Sequence, residues 1–169
     1  MLVLNDLSVF MPTFTKTSTL PSPAKDVFAW HARPEALPTL IPPWVSVEVE
    51  QPPRGLAPGT VVVLVNRMGP LRLRWVAEHT EFVDRGESGG TFVDIQREGP
   101  FKTWIHRHDV TPSSGGGAVL TDTVEWELPF APFGRWIAGA WAERKIRRMF
   151  DFRHEATREA VLRVVGGAT

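Results

Sequence analysis

The chain contains no cysteine and no tyrosine among its 169 residues. Without cysteine it can form no disulfide framework, no thiolate nucleophile and no cysteine-ligated zinc site. It also carries no net charge, because 19 Lys and Arg residues balance 19 Asp and Glu residues. This balance argues against a general nucleic-acid-binding surface, which needs an excess of positive charge. We therefore expect no nucleic-acid partner.

Long hydrophobic runs are also missing, since no apolar stretch approaches the ~18 residues of a membrane-spanning helix. The first residues, MLVLNDLSVFMP, have no basic region and contain an early acid, Asp6, so they make a poor signal peptide. We therefore expect a cytoplasmic protein without an integral membrane segment. Translation from Met1 and translation from Met11 both fit this stretch, and the sequence leaves the oligomeric state open.

The remaining composition is that of an ordinary globular protein, with 43% hydrophobic and 22% charged residues. A chain of this length can bury roughly 70% of the surface that its unfolded form exposes, which is enough for one sizeable core. We predict a single domain over residues 10–165, preceded by an N-terminal extension at 1–9 and followed by a tail at 166–169.

Alternating hydrophobicity and turn-forming residues predict seven strands. The first lies at 10–20 and is followed by two short helices, one at 22–30 and one within RPEALPTLIPPW. The other six strands are predicted at 45–50, 60–67, 72–82, 91–98, 103–111 and 118–128. After PFAPFG the chain is predicted to be helical to about Val165. Short turns between consecutive strands indicate an antiparallel meander, and the long helix must cover one of its faces.

The pattern of the strands indicates which face is buried, because side chains alternate between the two faces of a strand. In TDTVEWEL (121–128), one face carries Asp122 and Trp126, whereas the other carries only threonine and glutamate. In GPFKTWIHRHDV (99–110), Trp104, His106 and His108 share a face. We therefore expect two histidines to point into the apolar interior.

The turn GPF (99–101) sets the register of the two strands that it joins, since three residues are a common hairpin length. It pairs Asp94 with His106 and Phe92 with His108, and residues directly opposite each other share a face. The inward set predicted from this register and from the alternation consists of Trp75, Phe92, Asp94, Gln96, Trp104, His106, His108, Asp122 and Trp126.

The C-terminal helix has apolar residues at three- and four-residue spacing, with an arginine in the middle of the stripe. The stripe consists of Ile146, Met149, Arg153, Ala156, Ala160 and Val164. A guanidinium can bind a buried carboxylate through two hydrogen bonds, so we predict that Arg153 reaches Asp94 or Asp122. Met149 and Arg153 complete the predicted ligand-binding residues.

This order of elements resembles the helix-grip fold of the START-like superfamily, also known as SRPBCC. The superfamily includes the birch-pollen allergen, polyketide cyclases and coenzyme Q-binding proteins. The resemblance covers residues 10–165 and is carried by the 22–30 helix with PEALPTLIPPW after it, by FVDIQREGPFKTWIHRH (92–108), by TDTVEW (121–126) and by MFDFRH (149–154). It implies an α+β fold in which a curved seven-stranded antiparallel sheet wraps around the C-terminal helix and leaves an apolar cavity.

Four interpretations of Asp94, His106, His108 and Asp122 are open. These residues form a polar network that only holds the strand register, an anchor for a ligand head group, a metal site, or an acid–base pair. We expect the anchor, and no cofactor or metal. The protein would then store, transport or sense a hydrophobic or amphipathic small molecule such as a lipid, an isoprenoid quinone or a polyketide.

The main alternative is an enzyme of cyclase, aromatase or hydrolase type. In that case His106 or His108 acts as the acid–base group, and Asp94 or Asp122 orients it. A third possibility is an interaction or regulatory partner of an oxidoreductase or a stress protein. Because one fold hosts binders, transporters and enzymes, the resemblance does not choose between these functions.

Overall fold

A computed structural model describes residues 11–129 and 135–166 of the chain. The predicted extension at 1–9 and residues 167–169 of the predicted tail lie outside the described residues. Seven strands form one antiparallel sheet in the order β1-β7-β6-β5-β4-β3-β2. Their bounds are β1 Thr13–Leu20, β2 Val47–Gln51, β3 Val61–Met68, β4 Leu71–Asp84, β5 Gly90–Glu98, β6 Thr103–Pro112 and β7 Ala118–Glu127. The seven predicted strands are confirmed, with ends that shift by a few residues.

In the described ranges, three α-helices accompany the sheet: α1 Ala24–His31, α2 Ala36–Thr39 and the long α3 Arg135–Gly166. The two short helices connect β1 to β2, and α3 packs across the inner face of the curved sheet. The molecule therefore has the α+β helix-grip fold that the order of elements predicts. Within the described residues, no helix combines the length and the apolar character that crossing a membrane requires.

The register predicted from the GPF turn is confirmed. Asp94 lies opposite His106, and Phe92 lies opposite His108. The next strand continues the pattern, because Asp122 of β7 lies opposite His108 of β6. Along both β6 and β7, buried residues alternate with more exposed ones, and these two histidines and Asp122 are on the buried side. The inward face of these strands is therefore the one that the sequence predicts.

The core consists of two apolar clusters at opposite ends of the sheet. The first packs beneath α1 and contains Leu20, Ala24, Val27, Phe28, Trp30, Ala36, Leu56, Phe92, Val110, Ala118, Leu120, Ala160 and Val161. The second contains Phe14, Trp104, Val124, Trp126, Ala142, Ile146 and Phe150. Because β1, β6, β7 and α3 each contribute to both clusters, the inward residues midway along these elements lie between the two.

Helix α1 approaches the sheet closely at Gly90, the first residue of β5. A Cβ at this position would press on the ring of Phe28 and lie 2.5 Å from the carbonyl oxygen of Val83. We therefore expect Gly90→Ala to lower the free energy of unfolding by about 1–3 kcal/mol, the usual cost of overpacking a filled interior. Thermal unfolding measures this loss, and Gly115→Ala is the control because a Cβ there meets nothing within 4 Å. Equal shifts in the two variants would contradict the expected clash.

Candidate functional site

A polar layer separates the two apolar clusters. It consists of Ser18 on β1, Asp94 on β5, His106 and His108 on β6, Asp122 on β7 and His154 on α3. The layer follows from strand alternation: on β6, the two histidines lie between Trp104 of the second cluster and Val110 of the first. The sequence predicted that Asp94, Asp122 and the two β6 histidines come together, and the structure brings these four residues into contact.

Asp122 is the centre of the polar layer and contacts three imidazoles. Its Oδ1 accepts a hydrogen bond from His106 Nε2 at 3.2 Å, and its Oδ2 accepts one from His154 Nε2 at 2.8 Å. With its proton on Nε2, His154 accepts the Ser18 hydroxyl proton at Nδ1, where the two atoms are 2.8 Å apart. His108 Nδ1 lies 2.7 Å from Asp122 Oδ1, but at an angle outside that of a hydrogen bond.

His106 lies between two carboxylates. Its Nδ1 is 3.2 Å from Asp94 Oδ2, while its Nε2 faces Asp122. Asp94 Oδ2 is also 3.7 Å from His108 Nε2. The side chain of Asp94 keeps 16% of its surface exposed, against 4% for Asp122. Asp94 is therefore the more accessible of the two carboxylates.

These contacts shift the pKa values of all three groups. Burial alone would lower the pKa of His106, but Asp94 and Asp122 outweigh it and raise this pKa to about 9. Burial alone would raise the pKa of each carboxyl group, but the charges and hydrogen bonds of the histidines hold both values well below the usual range. At neutral pH, His106 is thus a cation between two ionised carboxylates.

Two further histidines border the layer, and all five histidines of the chain are buried. His31, at the end of α1, donates from Nδ1 to the Val27 carbonyl at 2.8 Å, and its ring lies 5.8 Å from that of His108. His79 is the register partner of Asp94, and its Nδ1 has no hydrogen-bond partner in the described part of the chain. Burial, reinforced by His108, lowers the pKa of His31 to about 4. Burial also lowers the pKa of His79, although Asp94 opposes the shift.

The expected site did not include His31, His79 or His154. Alternation in the predicted strand at 72–82 does place His79 on the same face as Trp75, so the sequence carried a signal for this residue. His154 follows Arg153 directly, and the spacing of apolar residues in the helix did not show which of the two faces the sheet. His31 lies one residue beyond the predicted end of the first helix, where no pattern marked it.

The predicted contact between Arg153 and the acids is wrong. Arg153 Nε donates to the carbonyl of Leu40 at 3.3 Å, and its guanidinium lies 5.4 Å from the centre of the Phe150 ring. Among the residues that the structure describes, Asp94 and Asp122 form ion pairs with histidines alone. Burial lowers the pKa of Arg153, and the two carboxylates oppose this shift.

Arg153 misses the two acids because α3 presents a different face to the sheet from the one predicted. The buried stripe runs through Ala142, Ile146, Phe150, His154, Thr157 and Val161. Ile146 and Ala160 of the predicted stripe are buried too, but between them the buried stripe follows the next residue around the helix. His154 therefore faces the sheet, whereas Met149 and Arg153 lie at the edge of the packed face and are only partly buried.

Three of the four predicted aromatic residues form a continuous group with Phe101 at one end of the polar layer, whereas Phe92 belongs to the first cluster. Trp104 lies 5.2 Å from Trp75 and 4.8 Å from Phe101, measured between ring centres, and Phe101 lies 6.2 Å from Trp126. Trp104 and Trp126 are buried. Four partly buried apolar side chains pack against this cluster, namely Trp75, Phe101, Leu128 and Met149, and we call them the apolar rim.

Two other predicted ligand residues are engaged within the protein. The Gln96 amide donates to the Phe101 carbonyl at 2.6 Å, and its Oε1 accepts from the Phe101 N–H at 3.4 Å, so this side chain holds the β5–β6 turn. Phe92 stacks on His108 with ring centres 3.9 Å apart. A surface cleft of about 480 Å³ beside Gln51 and Val61 shares no lining residue with the polar layer.

Three side chains of the layer are arranged so that they could hold a metal ion. Asp94, His106 and His108 each offer one ligand atom, and these atoms all lie within 4.8 Å of one another. The same carboxylate–imidazole contacts could also transfer a proton. The geometry therefore supports ligand anchoring, metal binding and acid–base chemistry as candidate roles.

Many solved structures share the fold, and three of them illustrate the range. The protein TTHA0849 from Thermus thermophilus has a TM-score of 0.69 and 20% identity, over 90% of this chain and 99% of that chain. A START superfamily protein from Mycobacterium smegmatis has a TM-score of 0.62 and 12% identity, over 90% and 98%. The Zhui aromatase/cyclase from Streptomyces sp. R1128 has a TM-score of 0.58 and 18% identity, over 91% and 96%. At these identities, the likeness establishes the fold alone.

The family is identified by a match to a family model, whereas a comparison with curated proteins gives no match. The family model described as polyketide cyclase/dehydrase and lipid transport matches residues 11–161, which is nearly the whole chain. This match agrees with the START-like resemblance and with the order of elements in the structure. The chain therefore belongs to the polyketide cyclase/dehydrase and lipid transport family of the START-like (SRPBCC) superfamily.

Proposed function

We propose that this protein binds a hydrophobic or amphipathic small molecule between the sheet and α3, and stores, transports or senses it in the cytoplasm. The observation that carries the proposal is the apolar rim, in which Trp75, Phe101, Leu128 and Met149 stay partly exposed around a buried aromatic cluster. Large apolar side chains from separate parts of the chain converge there. The lipid-transport activity within the family supports the same function.

The rim and the polar layer together have the composition of a small-molecule site. Such sites are mostly apolar, with a few converging polar groups that orient the ligand. Trp75 and Phe101 contact Trp104, and Trp104 precedes His106 by two residues on the same face of β6. An apolar chain that enters at the rim thus meets aromatic rings first and the polar layer behind them.

The chemistry of the polar layer indicates the kind of head group. Asp94 is the more accessible of the two carboxylates, and an ionised carboxylate accepts hydrogen bonds but donates none. A ligand carboxylate beside it would be repelled, whereas a hydroxyl, phenol or ammonium group would donate to it. The proposed ligand is therefore an apolar molecule that ends in a hydrogen-bond donor.

Truncating the rim is expected to weaken binding. We expect Trp75→Ala to reduce the affinity for dodecan-1-ol roughly tenfold, because losing apolar contacts of this size costs on the order of 1–2 kcal/mol. Displacement of a fluorescent naphthalene sulfonate probe in the presence of EDTA measures the affinity. Trp141→Ala is the matched control, since Trp141 lies on α3 with 63% of its surface exposed.

Mass spectrometry of an organic extract of the purified protein is the complementary test. An amphipathic molecule that co-purifies with wild-type protein, and less with Trp75→Ala, would support the proposal. An extract without any small molecule, together with equal dodecan-1-ol affinities in the Trp75→Ala and Trp141→Ala variants, would contradict it.

The arrangement of His106 favours acid–base catalysis of cyclase, aromatase or hydrolase type as a second candidate function. Its Nε2 is held by the buried Asp122, and its Nδ1 lies 3.2 Å from Asp94, the more exposed carboxylate. A proton can therefore pass between His106 and a substrate through Asp94. Incubation with a linear poly-β-ketone thioester, followed by mass spectrometry, tests this function. His106→Gln should abolish product formation and keep dodecan-1-ol binding, and an unchanged rate would exclude His106 as the proton-transfer group.

A further inference from the structure

Three ligand atoms converge on one side of the polar layer. Asp94 Oδ2 lies 3.2 Å from His106 Nδ1 and 3.7 Å from His108 Nε2, and all three atoms are within 4.8 Å of one another. Two ligands that bind one metal at the ~2.0–2.1 Å typical of zinc, at a tetrahedral angle, are about 3.3 Å apart. The two separations from Asp94 Oδ2 are therefore close to those of a metal site, and the third is below 4.8 Å.

The opposite nitrogens of the same two histidines both point to Asp122. His106 Nε2 and His108 Nδ1 lie 3.2 Å and 2.7 Å from Asp122 Oδ1. Metal-binding histidines generally present the second ring nitrogen to a carboxylate or carbonyl, which holds the ring orientation and the tautomer. Here Asp122 Oδ1 accepts a hydrogen bond from His106 Nε2, and its Oδ2 accepts one from His154 Nε2. His108 Nδ1 lies beside Oδ1, at an angle outside that of a hydrogen bond.

His79 supplies an independent observation beside this group. It is the register partner of Asp94, only 6% of its surface is exposed, and its Nδ1 has no hydrogen-bond partner among the residues that the structure describes. A buried imidazole nitrogen without a partner costs free energy unless something binds to it. A water or ligand molecule on the metal would provide such a partner.

The geometry points to a divalent transition-metal site, in which Asp94 Oδ2, His106 Nδ1 and His108 Nε2 are the three protein ligands and Asp122 is a positioning residue. Imidazole and carboxylate donors favour Zn²⁺, Fe²⁺ or Co²⁺ over Mg²⁺ and Ca²⁺, which prefer oxygen ligands alone. Three protein ligands leave at least one coordination position open. Although the proposed small molecule would also meet Asp94, the metal site does not depend on it, because Zn²⁺ binding is measured without any organic ligand.

Charge balance supports a dication at this place. Asp94 and Asp122 bring two negative charges into the interior, and in the described residues their ion pairs are with histidines alone. Buried charges need compensation by an opposite charge or a metal. A divalent cation that replaces the Nδ1 proton of His106 compensates both carboxylates. It leaves Asp122 to accept hydrogen bonds from His106 Nε2 and His154 Nε2.

Equilibrium dialysis of the full chain, stripped with EDTA and then titrated with Zn²⁺ alone, tests the site. We expect one Zn²⁺ per chain by elemental analysis and a rise in melting temperature with added Zn²⁺, since a ligand that binds only the folded state stabilises it. Asp94→Asn and His108→Gln should weaken binding roughly 100-fold or more, and Asp122→Asn about 10–100-fold, the usual range for a group that orients a ligand.

His31→Gln is the matched control, because His31 is buried but its Nδ1 is bonded to a backbone carbonyl. Its Zn²⁺ affinity should equal that of the wild type. X-ray absorption of Zn²⁺-loaded wild-type protein needs no variant and should show two imidazole ligands. Substoichiometric binding, an all-oxygen coordination shell, or equal affinities in His108→Gln and His31→Gln would overturn the assignment. If the wild-type protein binds Zn²⁺ as expected but does not bind dodecan-1-ol, only the proposed function is contradicted.

Discussion

Replacing Asp122 by alanine is expected to lower the free energy of unfolding by about 3–5 kcal/mol, the usual cost of removing one partner of a buried ion pair. Its carboxylate is almost fully buried and contacts His106, His108 and His154. Without it, His154 loses the acceptor for its Nε2 proton, and the charge of His106 is compensated by Asp94 alone. In a chain of this size the melting temperature should fall by roughly 10 °C.

Asp151→Ala is the control for this prediction. Asp151 also pairs with a cation, Lys16 at 2.5 Å, but half of its surface is exposed. Exposed ion pairs contribute only about 0–1 kcal/mol, so this variant should unfold almost like the wild type. Urea denaturation of both variants measures the difference. If Asp122→Ala loses no more stability than Asp151→Ala, the polar layer does not depend on a buried charge at Asp122.

The free energy of unfolding of the metal-free protein is expected to peak near pH 6.5. On the alkaline side the cause is His106, whose pKa is raised from 6.5 to about 9 by Asp94 and Asp122 against the effect of burial. This stabilisation is complete below the unfolded-state pKa of about 6.5 and is lost as the pH rises through 9. At ~1.4 kcal/mol per pKa unit, the full loss is about 3 kcal/mol.

On the acid side of the maximum, the free energy of unfolding decreases as the pH falls. Burial and His108 lower the pKa of His31 from 6.5 to about 4, so the unfolded chain takes up this proton first. Stability is complete above about pH 6.5 and falls as the pH decreases towards 4. The pKa of His79 shifts in the same direction. The depressed pKa values of Asp94 and Asp122 add a further loss only when the pH falls below their ordinary range.

Urea denaturation in EDTA between about pH 4 and pH 10 checks both sides of this profile. His106→Gln should flatten the alkaline side and leave the acid side sloping. His31→Gln should reduce the slope on the acid side and leave the alkaline side unchanged. An alkaline slope that persists in His106→Gln would show that another group carries it.

The inward face of the sheet was predictable from the sequence because the patterns involved are local. Strand side chains alternate with a period of two, so the exposed threonines and glutamates of β7 put Asp122 and Trp126 inside. The GPF turn, taken as a three-residue hairpin loop, predicts that Asp94 lies opposite His106, and the structure has this pair. Both results need only neighbouring residues, and both are confirmed.

The tertiary structure decided which face of α3 meets that sheet. One residue along a helix is a rotation of about 100°, and α3 carries two overlapping apolar stripes that the sequence pattern does not rank. Packing against β1 and β7 selected the stripe with Phe150 and His154, so that His154 reaches Ser18 and Asp122. Arg153 therefore turned to the Leu40 carbonyl at the end of α2, a contact over 113 positions that no local pattern contains.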